Sequence, residues 1–319
     1  ENADLVIEAI FEDLAMKQDL IRKIESIASA NTIIASNTSY IDLDEIAEVS
    51  LRPENIVGIH FFNPAHIMRL VEVIHGNNTS QEVISTAFAF VKKLEKLPII
   101  CKNSFGFIGN RIYAAYRYQC ELMLEEGALP HQIDEAIENY GFNLGPFAVG
   151  DLSGLDIAWN MRRANAHKRN SEARYVSIPD QICESGRFGV KTKAGYYSYA
   201  DGKKQIDPVI TDLIIQASEQ KKIVRKEFSS EQIVDRVLLT MANEAALLLA
   251  EGVTARMNDI DLVMINGFGF PKWEGGPAYW ASKQNLDELF AKQKNLAEVS
   301  GLGFIAGDIS IFQKLAKTA

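Results

Sequence analysis

Five short, near-continuous apolar runs in the first hundred residues most constrain what this chain can fold into. They are 4–10 (DLVIEAI), 32–35 (TIIA), 55–61 (NIVGIHF), 70–74 (LVEVI) and 97–101 (LPIIC). Runs this apolar, without polar alternation, are expected of strands buried on both faces of a sheet that helices cover. The segments between them have helical spacing. Residues 13–30 gather Leu14, Leu20, Ile21, Ile24, Ile27 and Ala28 on one face, 43–47 make a short helix, and 80–97 a long one. This alternation predicts an α/β fold with an open, doubly wound parallel sheet, incomplete because no Gly-rich turn follows a first strand.

Beyond about Asn103 the strand runs stop and helical spacing takes over. Residues 107–126 and 129–140 read as helices, the second ended by Gly141, and a loop rich in Gly and Tyr spans 186–199. The stretch 201–207 (DGKKQID) reads as a polar linker. The last part of the chain resembles the first helical part. Asn110-Arg111 matches Asp235-Arg236, and Glu126-Gly127 matches Glu251-Gly252, both at an offset of 125 residues. Ile133-Asp134 then matches Ile260-Asp261 at 127, and Phe142 through Gly145-Pro146 echoes Phe268 through Gly276-Pro277. One offset held across a helical segment indicates duplication. The expected organisation is a sheet domain over 1–102, a first helical copy over 103–200, a linker and connecting helix over 201–228, and a second helical copy over 229–319.

Composition narrows the function classes. The 319 residues are 47% apolar and 24% charged, with a net charge of −9 and no basic block, which disfavours nucleic acid and anionic membrane as partners. No apolar run is long enough for a membrane span and no signal-peptide pattern opens the chain, so secretion is not expected. Cys101, Cys120 and Cys183 leave an odd thiol, which suits a reducing compartment. No His, Cys and carboxylate cluster has metal-ligand spacing, and no Gly-x-Ser-x-Gly elbow is present.

Ligands of open parallel sheets bind beyond the carboxyl ends of the strands, which selects Glu12, Ser39 and His60 along one rim. Glu72 is different. It lies inside its strand, where an unpaired carboxylate would cost several kcal/mol, roughly, so it needs a partner. An imidazole on an adjoining strand is the sensible one, and the pair would fix the tautomer of His60 and leave its other nitrogen free to take a proton. A lone His in an apolar run is more often a core residue. The strand-end position before Asn63-Pro64, together with Glu72, reverses that preference. Ser39 alone is weak, since Ser36-Asn37-Thr38-Ser39 is also ordinary turn chemistry. Lys17 reads most simply as a solvated helix lysine, and Asn110 equally well as a helix N-cap. His66, His75, His131 and His167 have no companions at useful spacing.

These residues together resemble the L-3-hydroxyacyl-CoA dehydrogenase family, and within it the dehydrogenase half of multifunctional fatty-acid β-oxidation enzymes. Ser36-Asn37-Thr38-Ser39, His60-Phe61-Phe62-Asn63-Pro64, Leu70-Val71-Glu72-Val73 and Gly106-Phe107-Ile108-Gly109-Asn110-Arg111 follow the family's order and spacing, and Lys191-Thr192 with Gly195-Tyr196-Tyr197 resembles its later glycine–aromatic element. The resemblance implies NAD-dependent oxidation of (S)-3-hydroxyacyl-CoA to 3-ketoacyl-CoA. His60 would be the base, Glu72 its orienting partner, and Ser39 and Asn110 would bind the substrate's oxygens. Ile10, Phe11, Glu12, Lys17, Ser39, Asn63 and Lys191 would line the NAD site. Trp280 stands where related enzymes place a substrate-contacting Tyr.

The family's dinucleotide fingerprint is absent, so the chain by itself is expected to bind NAD poorly. The alternative is a catalytically silent acyl-CoA-binding or docking module. In the second copy Asp235 replaces Asn110 without a His–Glu pair, which implies a structural role. Two copies in one chain imply a monomer, and the multifunctional relatives imply an enoyl-CoA hydratase domain upstream. The expected compartment is cytoplasmic in a bacterium or peroxisomal in a eukaryote, although Lys317-Thr318-Ala319 is not a peroxisomal address.

Overall fold

Each apolar run becomes a strand in the computed structural model, which describes residues 2–316; Glu1 and the C-terminal tripeptide lie outside the described residues. The strands are β1 (Leu5–Glu8), β2 (Ile33–Ser36), β3 (Ile56–Phe61), β4 (Leu70–His75) and β5 (Leu97–Lys102), in the order β1-β2-β3-β4-β5. β1, β2 and β3 pair in parallel, and so do β4 and β5. β3 and β4, however, are antiparallel, so the sheet is mixed rather than wholly parallel. The reason is the short connection after Phe61. A parallel return needs a crossover of a dozen or more residues, and the eight between β3 and β4 permit only a reversal.

Successive strand residues face opposite sides. Ile33, Ala35, Val57, Ile59, Val71 and Val73 meet Val83, Ala87 and Val91 of α3 (Gln81–Lys93) in one core. Ile34, Ile56, Leu70 and Ile74 face the other way, toward α1 (Leu14–Ile27), α2 (Leu43–Ala47) and the helical part. His60 and Glu72 belong to this second face, which is why their side chains point at the helices beyond the sheet.

Two long helices dominate the remainder, α4 (Gly109–Glu126) and α10 (Ser230–Ala250). They pack on each other with reciprocal contacts. Arg111 donates from Nε to Glu244 at 2.5 Å and from its terminal nitrogens to Glu251 at 2.5 and 2.8 Å. Arg236 donates from Nε to Gln119 at 3.0 Å and from its terminal nitrogens to Glu126 at 2.6 and 3.3 Å. At the offset of 125, Arg111 corresponds to Arg236, Gln119 to Glu244, and Glu126 to Glu251. The pattern in which i meets j and j meets i is that of a two-fold interface between copies, here within one chain.

The next helices repeat a second device. Asp134 of α5 (Pro130–Tyr140) accepts the N–H groups of Phe147 and Ala148 in the first turn of α6 (Pro146–Ser153), at 3.0 and 2.9 Å. Asp261 of α11 (Met257–Gly267) accepts those of Ala278 and Tyr279 in the first turn of α12 (Pro277–Lys283), at 2.8 and 3.1 Å. Each carboxylate closes the orphan donors of the next helix. Between the halves, Asp207 of the polar linker caps α9 (Pro208–Gln220).

Candidate active site

The antiparallel register places His60 directly opposite Glu72. His60 Nδ1 and Glu72 Oε2 are 2.8 Å apart, and Glu72 is fully buried. The other carboxylate oxygen accepts the N–H groups of Ile108 and Gly109 at 3.1 and 3.0 Å. Glu72 thus serves as cap for the N-terminus of α4, where orphan N–H groups and the helix dipole favour an anion. Three donors account for its buried charge. Because the carboxylate only accepts, Nδ1 carries the proton and Nε2 is left as the acceptor. Nε2 faces the Ser39 hydroxyl at 3.2 Å. The rings of Phe62 and Phe107, 4.8 and 5.6 Å from the imidazole by centroid, confine it.

Local sequence explains the turn into α4. Gly106 adopts φ +72°, and a Cβ there would stand 2.9 Å from the Arg111 nitrogen. A Cβ on Gly109 would stand 2.4 Å from the Phe268 ring, so only glycine lets the end of α11 approach the capped turn. Asn110 is not the N-cap. That position is Ile108, which has no capping side chain because Glu72 supplies the acceptor from across the sheet. Asn110 sits one residue into the helix, half-buried, and its side chain has no hydrogen-bond partner among the described residues.

The β1 end of the rim is built around two carboxylates. Glu12 Oε1 accepts from the Thr38 hydroxyl at 2.6 Å and from the N–H groups of Ser39 and Tyr40 at 2.8 and 3.0 Å. Burial works against its charge, but these donors and Lys17, 3.5 Å away, prevail and hold the carboxyl below its ordinary value. Glu12 therefore fixes the loop that presents Ser39 to His60. Lys17 is not solvated. It is fully buried, 3.0 Å from both oxygens of Glu8 and 3.5 Å from the Ile10 carbonyl oxygen. Glu8 also accepts from the Ile10 N–H at 3.1 Å and from the Ser36 hydroxyl. Sequence reasoning missed Glu8, although it interrupts an apolar strand as Glu72 does. Lys17 also had a signal, since it shares the 14-17-21-24 stripe with Leu14, Ile21 and Ile24.

Ile10 and Phe11 lie past the carboxyl end of β1 and are 37% and 74% exposed. The exposed Asn63 follows β3. These groups, with the unspent Asn110 amide, fit the ring-bearing half of a dinucleotide laid across the rim; the described residues offer no Gly-rich turn for its pyrophosphate. The structure does not bring Lys191 and Trp280 into this cluster. Lys191 pairs with Asp156 at 2.5 Å, and Trp280 is 9% exposed within the helical core, with the more exposed Tyr279 beside it. In the second copy Asp235 pairs with Lys292 at 2.5 Å.

An imidazole held by a buried carboxylate beside a hydroxyl, on the rim of a mostly parallel sheet, is an arrangement suited to an α/β enzyme that moves a proton. The comparisons with known proteins specify which kind. The family model for the NAD-binding domain of 3-hydroxyacyl-CoA dehydrogenase matches residues 1–104, and that for the C-terminal domain matches twice, over 106–199 and 233–316. The chain is 37% identical over 306 residues to the peroxisomal bifunctional enzyme of Danio rerio, covering 92% of this chain and 43% of that one. It is 38% identical over 298 residues to the fatty acid oxidation complex subunit alpha of Vibrio campbellii, covering 93% and 42%. The crystal structure of the dehydrogenase part of multifunctional enzyme 1 from C. elegans superposes with a TM-score of 0.66 at 32% identity, over 98% of this chain and 71% of that one. The chain belongs to the 3-hydroxyacyl-CoA dehydrogenase family, a family of NAD-dependent oxidoreductases. It spans under half the length of these curated relatives.

Proposed function

We propose that this chain forms the dehydrogenase part of a fatty-acid β-oxidation enzyme and oxidises (S)-3-hydroxyacyl-CoA to 3-ketoacyl-CoA. The observation that carries the reading is the three-part line Ser39 Oγ–His60–Glu72, anchored on the α4 N-terminus. NAD, when bound, supplies the hydride acceptor. His60 Nε2 takes the proton of the 3-hydroxyl as the C3–O bond becomes a carbonyl, and Glu72 stabilises the imidazolium that results. Ser39 and Asn110 orient the reacting oxygen, Asn110 through the amide it spends on nothing else. Ile10, Phe11, Glu12 and Asn63 line the cofactor side, and Lys17 holds Ile10 and Glu12 in place from beneath.

In this reading residues 1–102 are the C-terminal part of an NAD-binding domain. Residues 103–200 and 229–319 are two helical copies joined by a linker and connecting helix over 201–228. The reciprocal Arg111 and Arg236 contacts support a monomer, because they satisfy within one chain an interface that single copies would need a partner to complete. An upstream enoyl-CoA hydratase domain suits a parent protein that, like the bifunctional relative, is more than twice as long as this chain; peroxisomal placement fits that relative's name, and a bacterial parent would be cytoplasmic. No helix among the described residues is long and apolar enough to cross a membrane.

The test is substrate choice in the natural full-length protein. NADH formation with (S)-3-hydroxyacyl-CoA, and none with free 3-hydroxy acids, is expected. Turnover of free acids alone would overturn the reading in favour of another hydroxy-acid dehydrogenase.

A further inference from the structure

We propose that Phe268, the residue that ends α11 in the second helical copy, is a positioning residue for the His60–Glu72 pair. This rests on the reaction proposed above. The second copy contains no histidine, so it has no base of its own, yet through this one ring it reaches the site of the first.

Three neighbours of the Phe268 ring lead to the site. Phe62 meets it edge-on, at 5.6 Å and 86°, the arrangement that aromatic pairs favour, and Phe62 itself lies 4.8 Å from the His60 imidazole. Gly109, whose N–H donates to Glu72 at 3.0 Å, faces the ring so closely that a Cβ there would stand 2.4 Å from it. Tyr113 stacks on it at 5.7 Å and 28°, three residues beyond Asn110 and so on the same side of α4. One ring therefore backs the wall of the base, the cap of the carboxylate and the helix face that carries Asn110.

Two close approaches bring Phe268 to this place. A Cβ on Gly267 would stand 2.8 Å from Leu70 and 3.2 Å from Phe62, so a glycine lets the end of α11 settle on the sheet. At the end of β5 the Lys102 N–H donates to the Val253 carbonyl at 2.8 Å, in the loop that leads into α11. The helical unit does not itself demand a ring here, because α5, of the same eleven residues as α11, ends on Gly141. Without the ring, Phe62 can turn away from His60 and the turn that caps Glu72 can shift. A misplacement of about 1 Å at a reacting group costs up to about 100-fold in rate.

Phe268→Ala in the full-length protein should lower kcat about 10- to 100-fold while KM for the CoA ester stays within about 3-fold. Phe268→Leu, which keeps most of the volume, should recover most of that loss. Phe270→Leu is the control: Phe270 is as deeply buried but pairs with Phe142 at 5.2 Å, and kcat should stay close to wild type. Imidazole ¹⁵N shifts of His60 give a readout that packing alone would not move. They should be displaced in Phe268→Ala, displaced less in Phe268→Leu, and unchanged in Phe270→Leu. If the alanine variant does not fold, the leucine variant carries the same comparison. Undisplaced His60 shifts, or a kcat loss no greater than that of Phe270→Leu, would overturn the assignment. The spectra need no turnover, which separates the two readings. Displaced shifts in a protein that oxidises no CoA ester sink the reaction and keep the positioning role; normal turnover with undisplaced shifts sinks the positioning role alone.

Discussion

Replacing Glu72 by Gln forces a choice that the carboxylate avoids. The native side chain accepts on both sides, from His60 Nδ1 at 2.8 Å and from two N–H groups of α4 at 3.1 and 3.0 Å. An amide has one accepting oxygen. If that oxygen faces His60, the NH2 group confronts two N–H donors, and two hydrogen bonds to a charged group are lost at about 1.5–3 kcal/mol each. If the oxygen faces α4, the helix cap survives in neutral form and the NH2 group donates to Nδ1. The proton of the imidazole then moves to Nε2, and the nitrogen facing Ser39 becomes a donor. The second arrangement costs less, so E72Q is expected to lose only about 1–3 kcal/mol of stability but to hold the wrong tautomer. Wrong-tautomer variants of base–carboxylate pairs lose about 10⁴ in kcat, and a loss of about 10³–10⁴ is expected here. Turnover is read from NADH formation in the full-length protein, the tautomer from imidazole ¹⁵N shifts, and stability from denaturant unfolding. Wild-type kcat in E72Q, or a retained Nδ1–H tautomer without loss of stability, would refute the reasoning.

Three further outcomes follow from other parts of the structure. Ser39→Ala removes one neutral hydrogen bond to Nε2 and should lower kcat about 10-fold, while denaturant unfolding stays within about 1 kcal/mol of wild type; a kcat unchanged by the substitution would remove Ser39 from the site. Arg236→Ala leaves Glu126 with Arg174 as its one remaining cation, 2.8 Å away, and should destabilise by an amount near the low end of about 3–5 kcal/mol; a loss below 1 kcal/mol would contradict the reciprocal interface. Burial raises Asp261 to about 7 and Asp134 to about 6, against the pull of the N–H groups that each accepts. Both groups therefore bind protons in the fold that the unfolded chain has released, so stability should fall as pH rises from about 4 through about 7. Asp261→Asn should flatten that fall in denaturant midpoints, and an unaltered slope would show that Asp261 does not titrate there.

What was legible in the sequence was whatever a short window determines. The apolar runs gave the strands to within a residue or two, and 43–47 is a helix as expected. Glu72 was readable because a carboxylate inside an apolar strand demands a partner. By the same logic Glu8 and Lys17 are readable as a pair, because Lys17 lies on the apolar stripe of its helix, although a helix lysine is more often a surface group. Other features depend on distant chain. The N-cap of α4 could not be placed from Asn110, since the acceptor arrives from β4, thirty-seven residues earlier than Gly109. The reversal at β4 is written in the short connection after Phe61 and not in the strand pattern, which is the same for parallel and antiparallel neighbours. The repeat was visible as sparse matches at one offset. Its meaning lies in the reciprocal contacts of Arg111 and Arg236, which join residues more than a hundred positions apart.

The proposed reaction turns on the proton taken by His60. His60→Gln, assayed in the full-length protein with (S)-3-hydroxyacyl-CoA and NAD, measures this directly, because the variant keeps a polar side chain of similar size but has no basic nitrogen. A drop in kcat of at least about 10³-fold with CoA-ester affinity preserved within a few-fold is the expected result. Turnover near that of the wild type would contradict it and return the His60–Glu72 pair to a structural role.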